Sequence, residues 1–437
     1  MGEIELIKEA GVVGAGGAGF PTHVKLNAKV DVVIANGAEC EPLLRVDQQL
    51  MAERAPEIMK GLEIAMRITN AKEGVIALKG KYKSAVHAFE KEIEKSKDKR
   101  VRMHILGNFY PAGDEQVLVY EVTKRIVPEG GIPLMVSVVV QNVNTLINIA
   151  NAIEGKPVIS KYVTVSGAVK NPSTFEVPIG ISIKELIEKA GGAAVNPYRI
   201  IVGGPMMGYV GNEEEPVTKT TGGVIVLPAE HPLILKKMRD ISRNAKLAQA
   251  ACIRCTLCTQ ACPRNLLGHN IEPDRVMKSV AFGLSRDVSS ITNAFLCVEC
   301  GVCTYFACPM ELDPMKINHE IKMQLSKAGV KKPHKRTDLH VNEFRETRKV
   351  PLSRLIARLG LSEYDVPAPM RGKIEAKKVR IPLKMHIGSP ALPTVKVGDF
   401  VKEGDVIGRI TDGLGANVHA SISGKVTEVS GHITIEV

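Results

Sequence analysis

Cys252-Ile-Arg-Cys255-Thr-Leu-Cys258-Thr-Gln-Ala-Cys262-Pro263 is the stretch on which the reading of the whole chain turns, and Cys297-Val-Glu-Cys300-Gly-Val-Cys303-Thr-Tyr-Phe-Ala-Cys308-Pro309 repeats its pattern. Each run sets three cysteines at two-residue spacing and a fourth just before a proline. Three cysteines so spaced wrap one cubane iron–sulfur cluster corner after corner, while the fourth is turned away and reaches the other cluster. We therefore expect two [4Fe–4S] clusters, one on Cys252, Cys255, Cys258 and Cys308, the other on Cys297, Cys300, Cys303 and Cys262. Zinc would use four ligands in two separated pairs, which neither run resembles. The second run carries one extra residue before its last cysteine, in Thr304-Tyr305-Phe306-Ala307. It is expected to shift Cys308 without removing it as a ligand. Thiolates on a redox-active centre imply one-electron transfer, tuned by burial and by hydrogen bonds to sulfur.

Cysteines number nine in the chain, an odd count. Eight of them packed into two runs indicate metal ligation in a reducing compartment, not a disulfide framework. Cys40 stands alone and reads as a packed core residue. The chain has 437 residues, enough for about three domains. A hydrophobic content of 44% with mean hydropathy +0.02 indicates folded protein. The net charge of +11 raises nucleic acid or an anionic membrane as partners. The basic residues are scattered, however, and the dense runs at 91–100 and 331–336 read as a helix end and a linker. With 4% aromatic residues and no Trp, stacking platforms for single strands are scarce, and nucleic acid is excluded. The start of the chain lacks the pattern of a signal peptide, and no apolar run is long enough to span a bilayer.

Residues 1–155 alternate apolar runs at 32–35, 75–78, 101–106 and 134–140 with helical stretches at 45–69, 81–95 and 115–126. This predicts an α/β domain with a largely parallel sheet. Residues 156–228 read as a small α+β domain of the β-grasp kind, with a strand at 161–166, a hairpin partner at 174–177, a helix at 181–190 and a strand at 199–202. Residues 229–345 are helical around the cysteine runs. Residues 346–370, with Pro351, Pro367 and Pro369, read as a linker. Regular turn signals and little helix make 371–437 an all-β module.

Gly14-Ala-Gly16-Gly17-Ala-Gly19-Phe20-Pro21 contains G-x-G-x-x-G but follows a helical stretch at 4–12, so a dinucleotide turn of the strand-to-helix kind is not supported. Its glycines still expose backbone N–H groups and allow close approach of a phosphate or a flat ring. Three polar clusters follow predicted strands: Asn36-Gly-Ala38-Glu39-Cys40-Glu41-Pro42, Tyr110-Pro-Ala-Gly113-Asp114-Glu115 and Gln141-Asn142-Val-Asn144-Thr145. Ligands of open α/β sheets bind beyond the carboxyl ends of the strands, so with the glycine loop these form a candidate cofactor pocket. Singly, Asn142 and Asp114 also read as helix N-caps.

Together these motifs resemble the flavin-bearing, NADH-binding subunit of respiratory complex I. They are more similar still to its RnfC-type relatives and to the corrinoid (cobalamin) reductases of the PduS type. Gly203-Gly-Pro-Met206-Met207-Gly208 resembles the soluble-ligand-binding β-grasp (SLBB) domain of those relatives. His386-Ile-Gly388-x-Pro390-Ala391 and Val418-His419-Ala-Ser421-x-Ser423-Gly424 resemble their barrel-sandwich module. That module opens RnfC-type chains but closes this one, as in the PduS type, which the four-residue spacer before Cys308 also favours.

The resemblance implies a multidomain α/β fold: an FMN- and NADH-binding domain, an SLBB β-grasp domain, a helical ferredoxin-like dicluster domain and a barrel-sandwich module. It implies that Gly14, Gly16, Gly17, Gly19 and Lys25 face the flavin, and that Asn36, Glu39, Tyr110, Asp114, Glu115, Asn142 and Thr145 complete the FMN site. Phe20, Glu39, Glu41 and Glu115 are implied nicotinamide dinucleotide contacts. Ala38 stands where the complex I pattern has an acid, so one flavin contact is lost or moved. The expected function is an NADH-dependent flavin and iron–sulfur oxidoreductase of the cytoplasm, or of a bacterial microcompartment. It passes electrons from NADH through FMN and two clusters to a corrinoid, with an adenosyltransferase and shell proteins as partners. The alternatives are an RnfC-like peripheral subunit of a membrane NADH–ferredoxin oxidoreductase and a non-enzymatic electron relay. No acid–base or nucleophilic residue is called for. Met206 and Met207 read as core filler, and His269, His386 and His419 as turn or packing residues. The tail module lacks a lysine at a hairpin tip for a covalent cofactor.

Overall fold

A computed structural model describes residues 1–437 except 97, 284–287 and 412, so Lys97 of the basic run at 91–100 lies outside the described residues. The first domain rests on four parallel strands in the spatial order Val101–Leu106, Glu73–Lys79, Val32–Gly37, Val138–Asn142. Alternation sends Val33, Ala35, Ile76 and Leu78 into one layer with Leu62 and Leu146, and Val32, Ile34, Val75 and Ala77 into the other with Val117 and Leu118. The two inner strands are covered on both faces, which is why 32–35 and 75–78 are wholly apolar, while the edge strand Val101–Leu106 leaves Arg102 and Ile105 exposed. Strand order reverses between Val32–Gly37 and Val138–Asn142, and their carboxyl ends open a crevice of the kind that binds ligands in such sheets.

Three local expectations are corrected. The stretch 45–69 is two helices, Val46–Glu53 and Ala55–Thr69, because Arg54 leaves helical geometry (φ −124°) and Pro56 opens the second helix, where its missing N–H costs nothing. The run 134–140 begins as a short 3₁₀ turn, Pro133–Val136, and becomes strand only at Val138, after Ser137 adopts φ 59°. The first helix is Glu3–Glu9 and stops before Gly11, which sits at φ 67°.

The β-grasp sheet contains the expected hairpin, Ser160–Gly167 against Ser173–Pro178, and a helix, Ile183–Lys189, whose Ser182 cap accepts from the Glu185 N–H. Its six strands run Met370–Lys373, Ser173–Pro178, Ser160–Gly167, Gly223–Pro228, Tyr198–Val202, Tyr209–Gly211. The edge strand Met370–Lys373 comes from beyond the cysteine lobe. The segment read as a linker is therefore a packed strap. Val350–Pro351 pairs with Phe109–Tyr110, and the helix Leu352–Arg358 buries Leu352, Leu355 and Ile356 beside Leu359 and Leu361. Its prolines masked an apolar stripe at helical spacing. The tail folds as two small antiparallel sheets closing over Val379, Ile381, Ile407, Val418, Val426, Ile433 and Ile435, in one core with the first two domains. Among the described residues no helix is long and apolar enough to cross a membrane.

Candidate functional site

The glycine loop lies at the crevice. A bridge between Val13 and Pro21 closes it, with the Gly14 N–H donating to the Phe20 carbonyl (2.9 Å) and the Gly19 N–H to the Gly14 carbonyl (3.2 Å). Ala15 is held twice: its N–H donates to Thr145 Oγ1 (2.9 Å), and its carbonyl accepts from Lys161 Nζ (2.7 Å). The tip, Gly16-Gly17-Ala18, is exposed. Among the described residues none of its N–H groups meets a protein acceptor. Gly17, at φ 114°, has open space where a Cβ would stand, and a Cβ on Gly16 would lie 3.3 Å from the Asn142 side chain. An exposed, glycine-lined rank of free N–H donors fits a phosphate or a flavin edge.

Behind the loop sits a buried polar network. Asn142 caps the helix Val143–Ile153, accepting from the Asn144 N–H, and donates to Asp47 Oδ2 (2.8 Å). The Glu39 carboxyl accepts from the Asp47 and Gln48 N–H groups and from Gln48 Nε2. Burial first, and then the Asp47 charge, raise the Glu39 pKa; burial also raises Asp47. Lys161, pushed down to about 8 by burial, is steadied by the charge of Asp47. Asn36 ties two strand-end loops, accepting from the Ala38 N–H and donating to the Gly113 carbonyl. Lys25 and Glu115 pair with each other at the rim (2.6 Å).

The remaining expected residues face other domains. Glu41 accepts from the N–H groups of Met206 (2.9 Å) and Met207 (3.0 Å) in the β-grasp loop, where a side chain on Gly204 would collide with it. The Tyr110 hydroxyl donates to the Cys300 carbonyl (2.7 Å) and lies beside Glu41. Asp114 caps the helix Glu115–Thr123 and takes a two-pronged ion pair from Arg264 (2.7 and 3.0 Å). Tyr110 and Asp114 thus join the first domain to the cysteine lobe.

In that lobe, Cys262, Cys297, Cys300 and Cys303 line one cavity, with Pro263, Arg264 and Met315. The charges of Cys297 and Cys262 act on Cys300, and that of Cys308 acts on Cys258. Cys303 also feels the charge of Cys258, so the two runs lie side by side, and the crossed grouping stays an expectation from the spacing. Burial pushes the Cys258 and Cys297 thiols up to about 12, so bound iron is what would take their protons. The extra spacer residue is absorbed by a widened π turn over Cys303–Ala307, in which the Cys308 N–H reaches back to the Cys303 carbonyl (3.2 Å). Met206 is fully buried against Gly301 and Tyr305, as filler, while Met207 is exposed. His269, His386 and His419 are buried, the first two bonded to backbone carbonyls. The Cys40 thiol is packed and pushed up to about 12 by burial.

Sequence reasoning passed over Asp47, Lys161 and Arg264. Asp47 and Lys161 belong to no motif and come from a helix and a neighbouring domain. Arg264, two residues after an expected ligand cysteine, was signalled only by its place.

Four family models match in chain order: the Nuo51 FMN-binding domain over 7–151, the SLBB domain over 162–210, a 4Fe-4S dicluster domain over 251–313 and the RnfC barrel sandwich hybrid domain over 367–436. The chain is 43% identical to the cobalamin reductase PduS of Salmonella typhimurium, over 98% of this chain and 94% of that one. It is 42% identical to the protein of the same name from Citrobacter freundii over the same shares. A component of the proton-translocating ferredoxin:NAD(+) oxidoreductase complex of Clostridium ljungdahlii is 40% identical over 60% of this chain and 55% of its own. The N–H rank at the crevice and the four-cysteine cavity fit the groups these models name: FMN and iron–sulfur clusters. The chain is an oxidoreductase of NADH-linked electron transfer, and it belongs to the PduS family of cobalamin reductases.

Proposed function

We propose that the protein takes electrons from NADH and delivers them singly, by way of FMN and two [4Fe–4S] clusters, to the cobalt of a corrinoid ahead of adenosylation. Bound flavin accepts a hydride and releases electrons one at a time, and each bound cluster carries one. The N–H groups of Gly16, Gly17 and Ala18 would hold the flavin, with Asn142 and Thr145 fixing the loop behind them. The observation that carries the reading is the direct join between the two sites. Tyr110 and Asp114, at the carboxyl-end side of the flavin domain, bond Cys300 and Arg264 in the wall of the cysteine cavity. Cys255 is exposed in the other run, with Cys252 and Cys258 partly so. The buried set thus faces the donor side and the open set the acceptor side. Near end-to-end similarity to the PduS proteins, against 60% coverage by the ion-pump component, supports the corrinoid acceptor. An adenosyltransferase and microcompartment shell proteins are the partners this reading implies, in a cytoplasm reducing enough to keep the cysteines as thiolates.

The test is anaerobic purification followed by titration with NADH. The expected result is bound flavin that bleaches with NADH, about eight irons per chain, and reduction of hydroxocobalamin. Colourless protein without acid-labile sulfide would end the proposal. Bleaching without cobalamin reduction would remove the corrinoid alone.

A further inference from the structure

The C-terminal module reaches back across almost the whole sequence to hold both ends of the glycine loop. At the leading end, the buried Lys219 Nζ, pushed down to about 7 by burial, donates to the Gly11 carbonyl (2.6 Å) and to the Asn417 carbonyl (2.8 Å). Gly11 has no room to give: at φ 67°, a Cβ there would lie 2.3 Å from the Asn417 oxygen and 2.7 Å from Lys219 Nζ. At the trailing end, the Ile387 N–H donates to the Gly19 carbonyl (3.0 Å). A Cβ on Gly19 would press on Thr220, His386 and Met385. Ion pairing fixes the same joint, since Arg409 and Asn417 of the module both bond Glu9, one turn before the loop. Lys219 belongs to the β-grasp domain, so three domains meet at this one loop.

A buried ammonium ion is expensive without an anion beside it. Among the described residues Lys219 has no carboxylate partner, only two carbonyls from two different domains. Such a group is poorly explained as core filler. It is well explained as a clamp, because its two bonds tie the start of the loop to the tail module and are lost together if the domains part.

We infer that Lys219 and the barrel-sandwich module act as the positioning element of the flavin loop, holding Gly11 and Gly19 so that the free N–H groups of Gly16, Gly17 and Ala18 are ordered before FMN arrives. The inference rests on the reading of that loop as the flavin site. It assigns the tail module an internal role, distinct from carrying a cofactor. Preorganisation of this kind acts on affinity by removing the ordering cost of binding.

The experiment uses the full chain, anaerobically loaded with clusters, stripped of FMN and titrated with FMN by fluorescence quenching. Lys219→Met is expected to weaken FMN binding about tenfold, with faster amide exchange confined to 11–21 and a changed visible circular dichroism of the bound flavin. Iron and sulfide content should stay at the wild-type level. Ala18→Asp, at the exposed tip, is expected to abolish binding without altering exchange at Gly11. Unchanged FMN affinity and unchanged exchange in Lys219→Met overturn the clamp, whatever Ala18→Asp does. Unchanged affinity in Ala18→Asp overturns the flavin site itself. Loss of clusters in Lys219→Met would show a general structural role and also overturn the inference.

Discussion

The two cysteine runs share a backbone and differ in surroundings. Arg254 and Glu299 occupy the same place between the first two cysteines, and both have positive φ, 54° and 58°. Thr256 and Gly301, just after the second cysteine, again match at 63° and 78°. The chain curls identically around each centre. Yet Cys255 is exposed while its counterpart Cys300 is buried, under Tyr110, Met206 and Tyr305. The spacers differ too, a tight turn before Cys262 and a π turn before Cys308. With a cluster on each run, ligand chemistry would be held constant while dielectric and access change, which is how a protein separates two potentials.

The largest expected effect comes from removing one ligand from each run. Cys300→Ala should leave NADH bleaching of flavin intact but lower cobalamin reduction by about a hundredfold or more, with loss of about half the iron. Cys255→Ala should keep the buried centre reducible by NADH, seen as a surviving low-temperature EPR signal. Equal loss of both signals in either variant would break the proposed division of roles.

Next is the buried ion pair beside the four-cysteine cavity. Arg264 and Asp114 side chains are only 7% and 14% exposed. Replacing Arg264 by Met strands a buried carboxylate and should cost about 3 kcal/mol or more, read as a lower unfolding midpoint of the lobe. Adding Asp114→Asn should recover part of that loss.

The matched left-handed positions give a smaller, opposite-signed pair. Gly301→Ala should destabilise by about 1–2 kcal/mol, from its φ and from a Cβ 2.7 Å from the Tyr305 ring. Thr256→Gly, at the equivalent place in the open run, should stabilise by about 1 kcal/mol. Denaturant unfolding of the cluster-loaded protein checks both signs.

The smallest effect lies outside both runs and serves as their control. Burial raises Glu39 to about 7. A carboxyl raised in the folded state contributes stability present below its ordinary pKa and lost as pH rises through the folded value. Stability of the flavin domain should therefore fall between about pH 4.5 and pH 7. Asp47→Asn, by removing a like charge, should shrink that difference by about 1 kcal/mol, seen in thermal midpoints at pH 5 and pH 8, without touching either cluster signal.

Much of this was legible in residue order. The hairpin at 160–178 and the parallel strands announced themselves through β-branched runs and turn residues. The strap at 346–370 did not, because Pro351, Pro367 and Pro369 outweighed the stripe Leu352, Leu355, Ile356, Leu359. The pocket motifs were legible as a set but not in their allegiance. Asn142 and Thr145 turn toward the glycine loop, while Tyr110 and Asp114, a few residues past the strand at the opposite edge of the sheet, turn toward the cysteines.

Local spacing alone marked the candidate ligands, the glycine loop and the strand-end clusters, because each motif is written within a dozen residues. Tertiary structure decided which cysteine run is buried, that Arg264 meets Asp114, and that Lys219 and Asn417 close on Gly11. Those contacts join residues separated by 150 positions or more. Their existence depends on how whole apolar faces pack, which no local pattern encodes.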